Sequence, residues 1–225
     1  MTAVIGWNRD TDRFTVGQWL KGKIQDFDLS PNGKYWIYTA MSGTGSSSWT
    51  ALARVPYLKA LDFYRTNGYS FPVVRFISDK AYCFGYPIDK SEIVEHRKNS
   101  FHVLSEKPPN MDIFTVREIR NGWEPIIVDS KWQGVVKRIN NHWSLRRELC
   151  REREQLVLKY FLKNAVGEME IRMDDWEWAD IDNGRILWSE KGLLMSGKVT
   201  RDGLTESTIL YDTNSLTFTV IAAPY

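Results

Sequence analysis

The chain has 225 residues, of which 43% are hydrophobic, and its 30 Lys and Arg residues nearly balance 28 Asp and Glu residues. This composition excludes a disordered or fibrous protein, and the length suits one all-β domain, so we predict a single domain over residues 1–225. Because the formal net charge is only +2 and no long block of one sign occurs, the sequence predicts neither nucleic acid nor a membrane as a partner.

The amino-terminal stretch MTAVIGWNRDTDRF has no basic region followed by an apolar run, and no segment reaches the ~18 apolar residues of a membrane helix. The two cysteines, Cys83 and Cys150, lie far apart in sequence and in different local patterns. This spacing supports neither a disulfide framework nor a Cys-based zinc site. We therefore expect a cytoplasmic protein in a reducing compartment.

The first strong pattern is a hairpin at residues 27–40, FDLSPNGKYWIYTA, in which an Asn-Gly turn joins two alternating strands. Asn and Gly tolerate the positive φ values that tight hairpins require. A weaker copy at residues 73–86, VVRFISDKAYCFGY, has Ser-Asp-Lys in place of Asn-Gly. Both stretches predict antiparallel strand pairs.

The middle of the chain contains two more hairpin patterns and one ambiguous stretch. Residues 111–129 carry an Asn-Gly pair and residues 132–148 an Asn-Asn pair, each between alternating segments. Residues 144–164, SLRRELCREREQLVLKYFLKN, fit both the spacing of a helix and the alternation of strands. We favour a strand pair there, because periodicity alone does not assign short apolar runs.

The last pattern, WADIDNGRILWSEK at residues 178–191, repeats the first hairpin about 150 residues later. Matched hairpins near both ends are expected of a circular array, and about five units of ~45 residues fit this length. The sequence therefore predicts an all-β fold, a compact β-propeller of about five blades, with the two hairpins in adjacent blades or in blades that flank the closure of the ring. We expect the ring to be closed by residues 15–22 or 216–225; a β-sandwich or barrel is the alternative fold.

Four stretches carry a resemblance to a known family: SPNGKYWIYTAMS, SSWTALARVPYLKALDFY, WEWADIDNGRILWSEKGLL and LYDTNSLTFTVIAAPY. They resemble the signature stretches of a family of uncharacterised bacterial β-propeller-like proteins. The resemblance covers both ends of the chain and is loose between about residues 91 and 173. It implies the fold and carries no activity, substrate or catalytic residue.

The densest cluster of aromatic and acidic residues is MDDWEWADID at residues 173–182, in a chain with ten tryptophans. In a strand, Trp176 and Trp178 would point to one face and Asp175 and Glu177 to the other. Exposed indoles stack on sugar rings, and paired carboxylates act as general acid and base or hold a hard cation. These four are the candidate ligand-binding residues; the alternative is that the indoles pack between blades and the carboxylates occupy turns and edges.

Motifs for catalysis and metal binding are not found in the sequence. The three histidines lack the H-x-x-x-H spacing of a helical zinc site, and no G-x-S-x-G stretch occurs. We therefore predict no catalytic residue, no metal ligand and no cofactor.

Two stretches between strand patterns have the composition of binding loops. Residues 42–48, SGTGSSS, are rich in Gly and Ser, and residues 96–110, HRKNSFHVLSEKPPN, are longer than a hairpin needs. The candidate partner-binding residues are Ser42, Gly43, Thr44, Gly45, His96, Arg97, His102, Pro108 and Pro109. The alternative is that both stretches are spacers.

Three classes of function fit this reading of the sequence. The first is a non-enzymatic protein-interaction module, for example a bacterial immunity or adaptor protein, with loops that bind a protein partner. The second is a small-ligand binder, for carbohydrate, that uses stacked indoles. The third is a hydrolase with clustered carboxylates in the central funnel. We favour the first, although propellers host all three classes.

Overall fold

The computed structural model describes residues 1–45, 47–66, 72–85, 93–96, 100–104, 112–113, 115–128, 131–152, 155–165 and 169–225. Within these residues the chain forms nineteen strands in five sheets and one five-residue helix, so the all-β prediction is confirmed. None of the described sheets closes into a barrel. The chain divides into two compact units, unit 1 (Met1–Arg117 with Thr217–Tyr225) and unit 2 (Glu118–Leu216). The single-domain assignment stays a prediction.

Unit 1 contains ten strands in three sheets among its described residues. They are β1 (Thr2–Asn8), β2 (Arg13–Leu20), β3 (Gly22–Leu29), β4 (Tyr35–Ser42), β5 (Ser48–Arg54), β6 (Ala60–Thr66), β7 (Val74–Ser78), β8 (Ala81–Phe84), β9 (Ile93–His96) and β10 (His102–Leu104). The sheet orders are β1-β2, β3-β4-β5-β6-β9 and β10-β8-β7. Neighbouring strands are antiparallel except for β10 and β8, which are parallel.

The core of unit 1 lies on both faces of the sheet that contains β4. Successive side chains of a strand point to opposite faces, so Trp36 and Tyr38 join one apolar cluster and Ile37 joins the other. The neighbouring strand β5 does the same with Ala51 and Leu52. Burial on both faces explains why β4 is an almost continuous run of apolar residues.

A buried polar network crosses the core of unit 1. The Tyr82 hydroxyl donates to Asp62 Oδ2 at 2.8 Å, and the hydroxyls of Tyr64 and Tyr82 lie 2.7 Å apart. Burial raises the pKa of Tyr64 to about 12 and also raises the pKa of Tyr82. Both hydroxyls therefore stay protonated and link β6 to β8.

The first hairpin and its weaker copy are confirmed as antiparallel pairs, β3 with β4 and β7 with β8. In the first turn, the Ser30 N–H donates to the Tyr35 carbonyl at 2.9 Å and the Gly33 N–H donates to the Ser30 carbonyl at 2.8 Å. Gly33 has a φ of 68°, a conformation that favours Gly. The turn is thus a five-residue loop, longer than the tight turn that Asn-Gly suggested.

Unit 2 contains nine strands in two antiparallel sheets among its described residues. They are β11 (Glu124–Val128), β12 (Lys131–Arg138), β13 (Trp143–Glu152), β14 (Gln155–Asn164), β15 (Glu170–Arg172), β16 (Trp178–Asp182), β17 (Arg185–Glu190), β18 (Leu193–Thr200) and β19 (Gly203–Asp212). Each sheet keeps the chain order, β11 to β15 and β16 to β19. The short helix α1 (Val116–Arg120) spans the boundary of the two units.

The hairpin predicted in residues 111–129 is wrong. Asn121 and Gly122 end helix α1 instead: the Gly122 N–H donates to the Ile119 carbonyl and the Trp123 N–H to the Glu118 carbonyl. This bond pattern, with Gly122 at a φ of 79°, is a Schellman cap. The same preference of Gly for positive φ serves hairpin turns and helix ends alike.

The other hairpins of unit 2 are confirmed. β12 pairs with β13 around the Asn-Asn turn, and β13 pairs with β14, so residues 144–164 form strands apart from 153–154, which lie outside the described residues. β16 and β17 flank Asn183 and Gly184, whose φ angles of 49° and 74° are the two positive values that a tight hairpin turn requires. The first and last hairpins belong to different units, and their place in adjacent blades or in blades that flank the closure of the ring stays a prediction.

The predicted closing strands do not pair in the way we expected. Residues 15–22 lie mainly in β2, which pairs with β1, and no strand is assigned after Asp212 in the described chain. Residues 217–225 belong to unit 1 and are held there by side-chain contacts. The Tyr225 hydroxyl donates to the Lys59 carbonyl at 2.6 Å and accepts from the Arg54 N–H at 3.1 Å. The prediction that residues 216–225 form a closing strand is therefore wrong, because no strand pairs with them among the described residues.

Among the described residues, no helix has the length and apolar character needed to cross a membrane.

Candidate functional site

The two predicted ligand-binding tryptophans do not share a strand face. β16 begins at Trp178, whereas Trp176 lies before it, in a turn closed by its N–H donating to the Met173 carbonyl at 3.2 Å. Trp176 is 6% exposed and stacks on Trp188 with ring centroids 5.1 Å apart. Trp178 is 37% exposed. The predicted pair of indoles on one strand face is therefore wrong, because Trp176 lies outside the strand, at the end of a turn, and packs in the core.

The predicted carboxylates lie at the surface of unit 2. Asp175 and Glu177 are exposed, and Asp175 lies 3.5 Å from the ammonium of Lys191. An exposed ion pair of this kind stabilises the fold little. In the part of the chain that the structure describes, no three His, Cys, Asp or Glu side chains converge as metal ligands would. Ligand binding at these residues stays a prediction.

The predicted binding loop at residues 42–48 connects β4 to β5. The Gly45 N–H donates to the Ser42 carbonyl at 2.9 Å, and the Ser47 N–H donates to the Ser42 hydroxyl at 3.3 Å. Gly43 and Thr44 are exposed. Ser46 lies outside the described residues; the rest of the loop forms a short turn closed by its own hydrogen bonds, and its role in partner binding stays a prediction.

The second predicted loop, residues 96–110, is in part a strand. His96 ends β9, and His102, which is exposed, begins β10 at the edge of the three-stranded sheet. Phe101, between them, is only 8% exposed in the core of unit 1, which explains why the chain returns to the sheet here. Arg97, Pro108 and Pro109 lie outside the described residues.

The most distinctive surface feature of unit 2 is the far end of the β13–β14 hairpin, residues 149–158, which we call the hairpin arm. β12 pairs with β13 no further than Glu148. β15 pairs with β14 at residues 161–163, and the Met173 N–H donates to the Tyr160 carbonyl just beyond them. Beyond these rungs, β13 and β14 pair with each other alone among the described residues, as far as Glu152 opposite Gln155. Among the residues that the structure describes, the arm is thus a two-stranded ribbon with no further strand along either edge.

One face of the arm is apolar. Leu149 lies directly opposite Leu158, and the two are 42% and 44% exposed. Alternation puts them on the same face as Leu145 and Leu162, which are opposite each other and fully buried. The apolar face of the hairpin therefore continues past the edge of the core into solvent, where burial against a partner would remove apolar surface from water.

The opposite face of the hairpin is charged. Glu152 accepts a salt bridge from Lys159 at 3.2 Å and one from Arg172 at 3.1 Å. The hydrogen bond from Lys159 is the main cause that lowers the pKa of Glu152, and Arg172 adds to it. Nearer the core, Arg146 lies 3.0 Å from Glu148. The face opposite Leu149 and Leu158 thus carries the ion pairs of Glu152 together with Cys150 and Val157, which lie opposite each other.

A charged cluster fixes the base of the arm. Arg147 precedes Leu149 by two residues and lies on the same face of β13. Its Nη2 lies 3.0 Å from Oε1 of the buried Glu118, and its Cζ lies 5.2 Å from the ring centroid of Trp123. Lys137 lies 5.7 Å from the same centroid and 2.8 Å from Asp180. Trp123 is thus held by two cations, each paired with a carboxylate. Arg147 thus ties β13, just before the arm, to helix α1, and Lys137 ties the neighbouring strand β12 to β16.

Sequence reasoning missed the arm, although a signal for it was present. Alternation in LVLKYFL, residues 156–162, predicts an apolar strand face, and it is correct. The sequence does not show where the neighbouring strands β12 and β15 stop pairing, and that endpoint decides which leucines are exposed.

Comparisons with family models, curated proteins and solved structures give no match to this chain. Membership of the bacterial propeller-like family stays a prediction.

Proposed function

We propose that this chain is a non-enzymatic protein-interaction module and that its hairpin arm contacts the partner protein. The observation that carries this proposal is the exposed cross-strand pair of Leu149 and Leu158 on the two-stranded ribbon. An apolar centre beside charged residues is the usual composition of a protein interface and its rim, and Arg147 lies beside the leucine pair on the same face.

The two other classes of function have less support. Stacking on a sugar between paired indoles requires both rings to be accessible, and Trp176 is packed against Trp188. General acid and base catalysis requires two carboxylates that face one site, whereas Asp175 and Glu177 lie exposed on the surface. We propose that the interaction module acts in the cytoplasm, for example as a bacterial immunity or adaptor protein.

The β-propeller is part of the same proposal. Five separate sheets among the described residues match the number of blades that the sequence predicts. Sheets of two and three strands in unit 1 would be the incomplete blades of such a ring. An experimental structure tests this assignment: five blades around one axis would support it, and two stacked sheet layers would contradict it.

We expect the double variant Leu149→Lys and Leu158→Lys to lose its partner. Two ammonium groups at the centre of an apolar contact must be desolvated, so the captured partner should fall at least ~10-fold, which corresponds to about 1.4 kcal/mol. The measurement is affinity capture from the source cell with quantitative mass spectrometry.

The matched control for this experiment is Ile209→Lys. Ile209 lies on β19, also in unit 2, and is 55% exposed, so this variant places a lysine at a comparably exposed apolar position away from the arm. Circular dichroism should show an unchanged fold for both proteins. Undiminished capture by the double variant, or equal loss in the control, would rule out the arm as the partner site.

A further inference from the structure

Residues 213–225 contain no charged side chain, and residues 217–221 are Thr, Phe, Thr, Val and Ile, which favour β-strands. No strand forms there within the chain itself. Phe218 is 55% exposed and Val220 is 84% exposed. This segment therefore lacks the charges and the cover that usually protect an extended chain from pairing with another molecule.

One side of the segment is attached to unit 1. Gln18 Nε2 donates to the Ile221 carbonyl at 2.8 Å. The rings of Trp19 and Phe218 meet edge to face with centroids 6.0 Å apart. Both attachments come from β2, so the opposite side of the segment is the one open to a partner.

The peptide groups of alternate residues point to opposite sides of an extended chain. In the extended conformation that the proposed pairing requires, the Ile221 carbonyl bound by Gln18 places the peptide groups of Thr219 on the same side and those of Phe218 and Val220 on the opposite side. Neither Phe218 nor Val220 makes a backbone hydrogen bond to any residue that the structure describes. Their N–H and carbonyl groups are therefore available to a second strand.

We propose that residues 217–221 pair with the same segment of a second copy of this chain, as antiparallel strands related by a two-fold axis. The axis passes beside Thr219, which faces Thr219 of the second copy. Phe218 then lies opposite Val220 of the second copy, and the two exchange N–H to carbonyl hydrogen bonds. The outward peptide groups of both copies are satisfied in this arrangement.

A second copy is the occupant because the segment is complementary to itself. Thr beside Thr and an aromatic residue beside a β-branched residue are favourable cross-strand pairs. Because the segment has no charged side chain, antiparallel pairing with the same segment of a second copy brings no like charges together. A two-fold contact of this kind is isologous and closes at a dimer.

The dimer is reversible. A pair of short strands buries less surface than an obligate dimer interface, so association rises with protein concentration by mass action. In sedimentation equilibrium, the wild-type molar mass should rise from 26.2 kDa towards twice that value. The useful concentration range is from about 5 to about 500 µM.

Two proline variants test the register of the pair. Val220→Pro removes an N–H that the dimer uses, whereas Thr219→Pro removes one that points towards β2, at a position where an edge strand tolerates Pro. We expect Val220→Pro to stay at 26.2 kDa over the whole range and Thr219→Pro to associate as the wild type does. Both side chains are exposed, so the fold should persist, with circular dichroism as the check.

Each other result overturns the proposal. A wild-type mass that stays at 26.2 kDa means that the segment does not self-associate and leaves a strand of another protein as its occupant. Association of Val220→Pro equal to that of the wild type places the contact elsewhere. Equal loss in both variants contradicts the register. The hairpin arm is not involved, so these outcomes are independent of the proposed function.

Discussion

Replacing Gly17 by Ala is expected to destabilise the protein by about 3 kcal/mol, which is the upper end of the usual effect of overpacking. Gly17 is buried in β2, and a Cβ there would overlap the carbonyl of Pro56 and lie 2.8 Å from the Pro56 Cβ. The Gln18 N–H donates to the same carbonyl at 3.3 Å, so the two chains cannot separate without loss of that bond. Urea unfolding followed by circular dichroism measures the change.

The matched control for Gly17 is Gly43→Ala. Gly43 is exposed, and the nearest atom to an added Cβ is the Lys21 carbonyl oxygen at 3.7 Å, an ordinary van der Waals contact. Its free energy of unfolding should change by less than about 0.5 kcal/mol. If Gly17→Ala is as stable as the control, the close approach of β2 to Pro56 is wrong.

The second large effect is expected for Glu118→Gln, which should cost about 3 kcal/mol. Glu118 is 6% exposed and pairs with Arg147 at 3.0 Å, so loss of the carboxylate leaves a largely buried guanidinium without its counterion. The free energy of unfolding from urea titration is again the measurement.

A double variant separates the lost charge pair from lost packing. Replacing both members, Glu118→Leu with Arg147→Met, removes the unpaired charge and keeps apolar volume beside Trp123, so it should cost less than Glu118→Gln alone. A double variant that is less stable than the single one would contradict the account of this cluster at the base of the hairpin arm.

Local chemistry explains which turns could be predicted. Asn183 and Gly184 adopt the two positive φ values that the sequence suggested, and the hairpin of β16 and β17 follows. Asn121 and Gly122 have the same letters and end a helix. The dipeptide indicates positive φ; whether a strand or a helix precedes it depends on packing further along the chain.

Exposure of side chains could not be predicted, because it depends on contacts distant in sequence. Trp176 was expected beside Trp178, and a turn places it against Trp188 in the core. Leu149 and Leu158 have the alternation of core residues, and they are exposed because the neighbouring strands stop pairing before them. The segment at residues 217–221 has the composition of a strand, and it has no strand partner in the described part of the chain.

The most direct test of the arm as a partner site is covalent capture. A photo-crosslinking amino acid at position 158 lies on the exposed apolar face of the arm, and the same amino acid at position 209 is the control. Irradiation in the source cell should join one protein to position 158 and none to position 209. No adduct at position 158, or the same adduct at both positions, would contradict the proposal that the hairpin arm binds a protein partner.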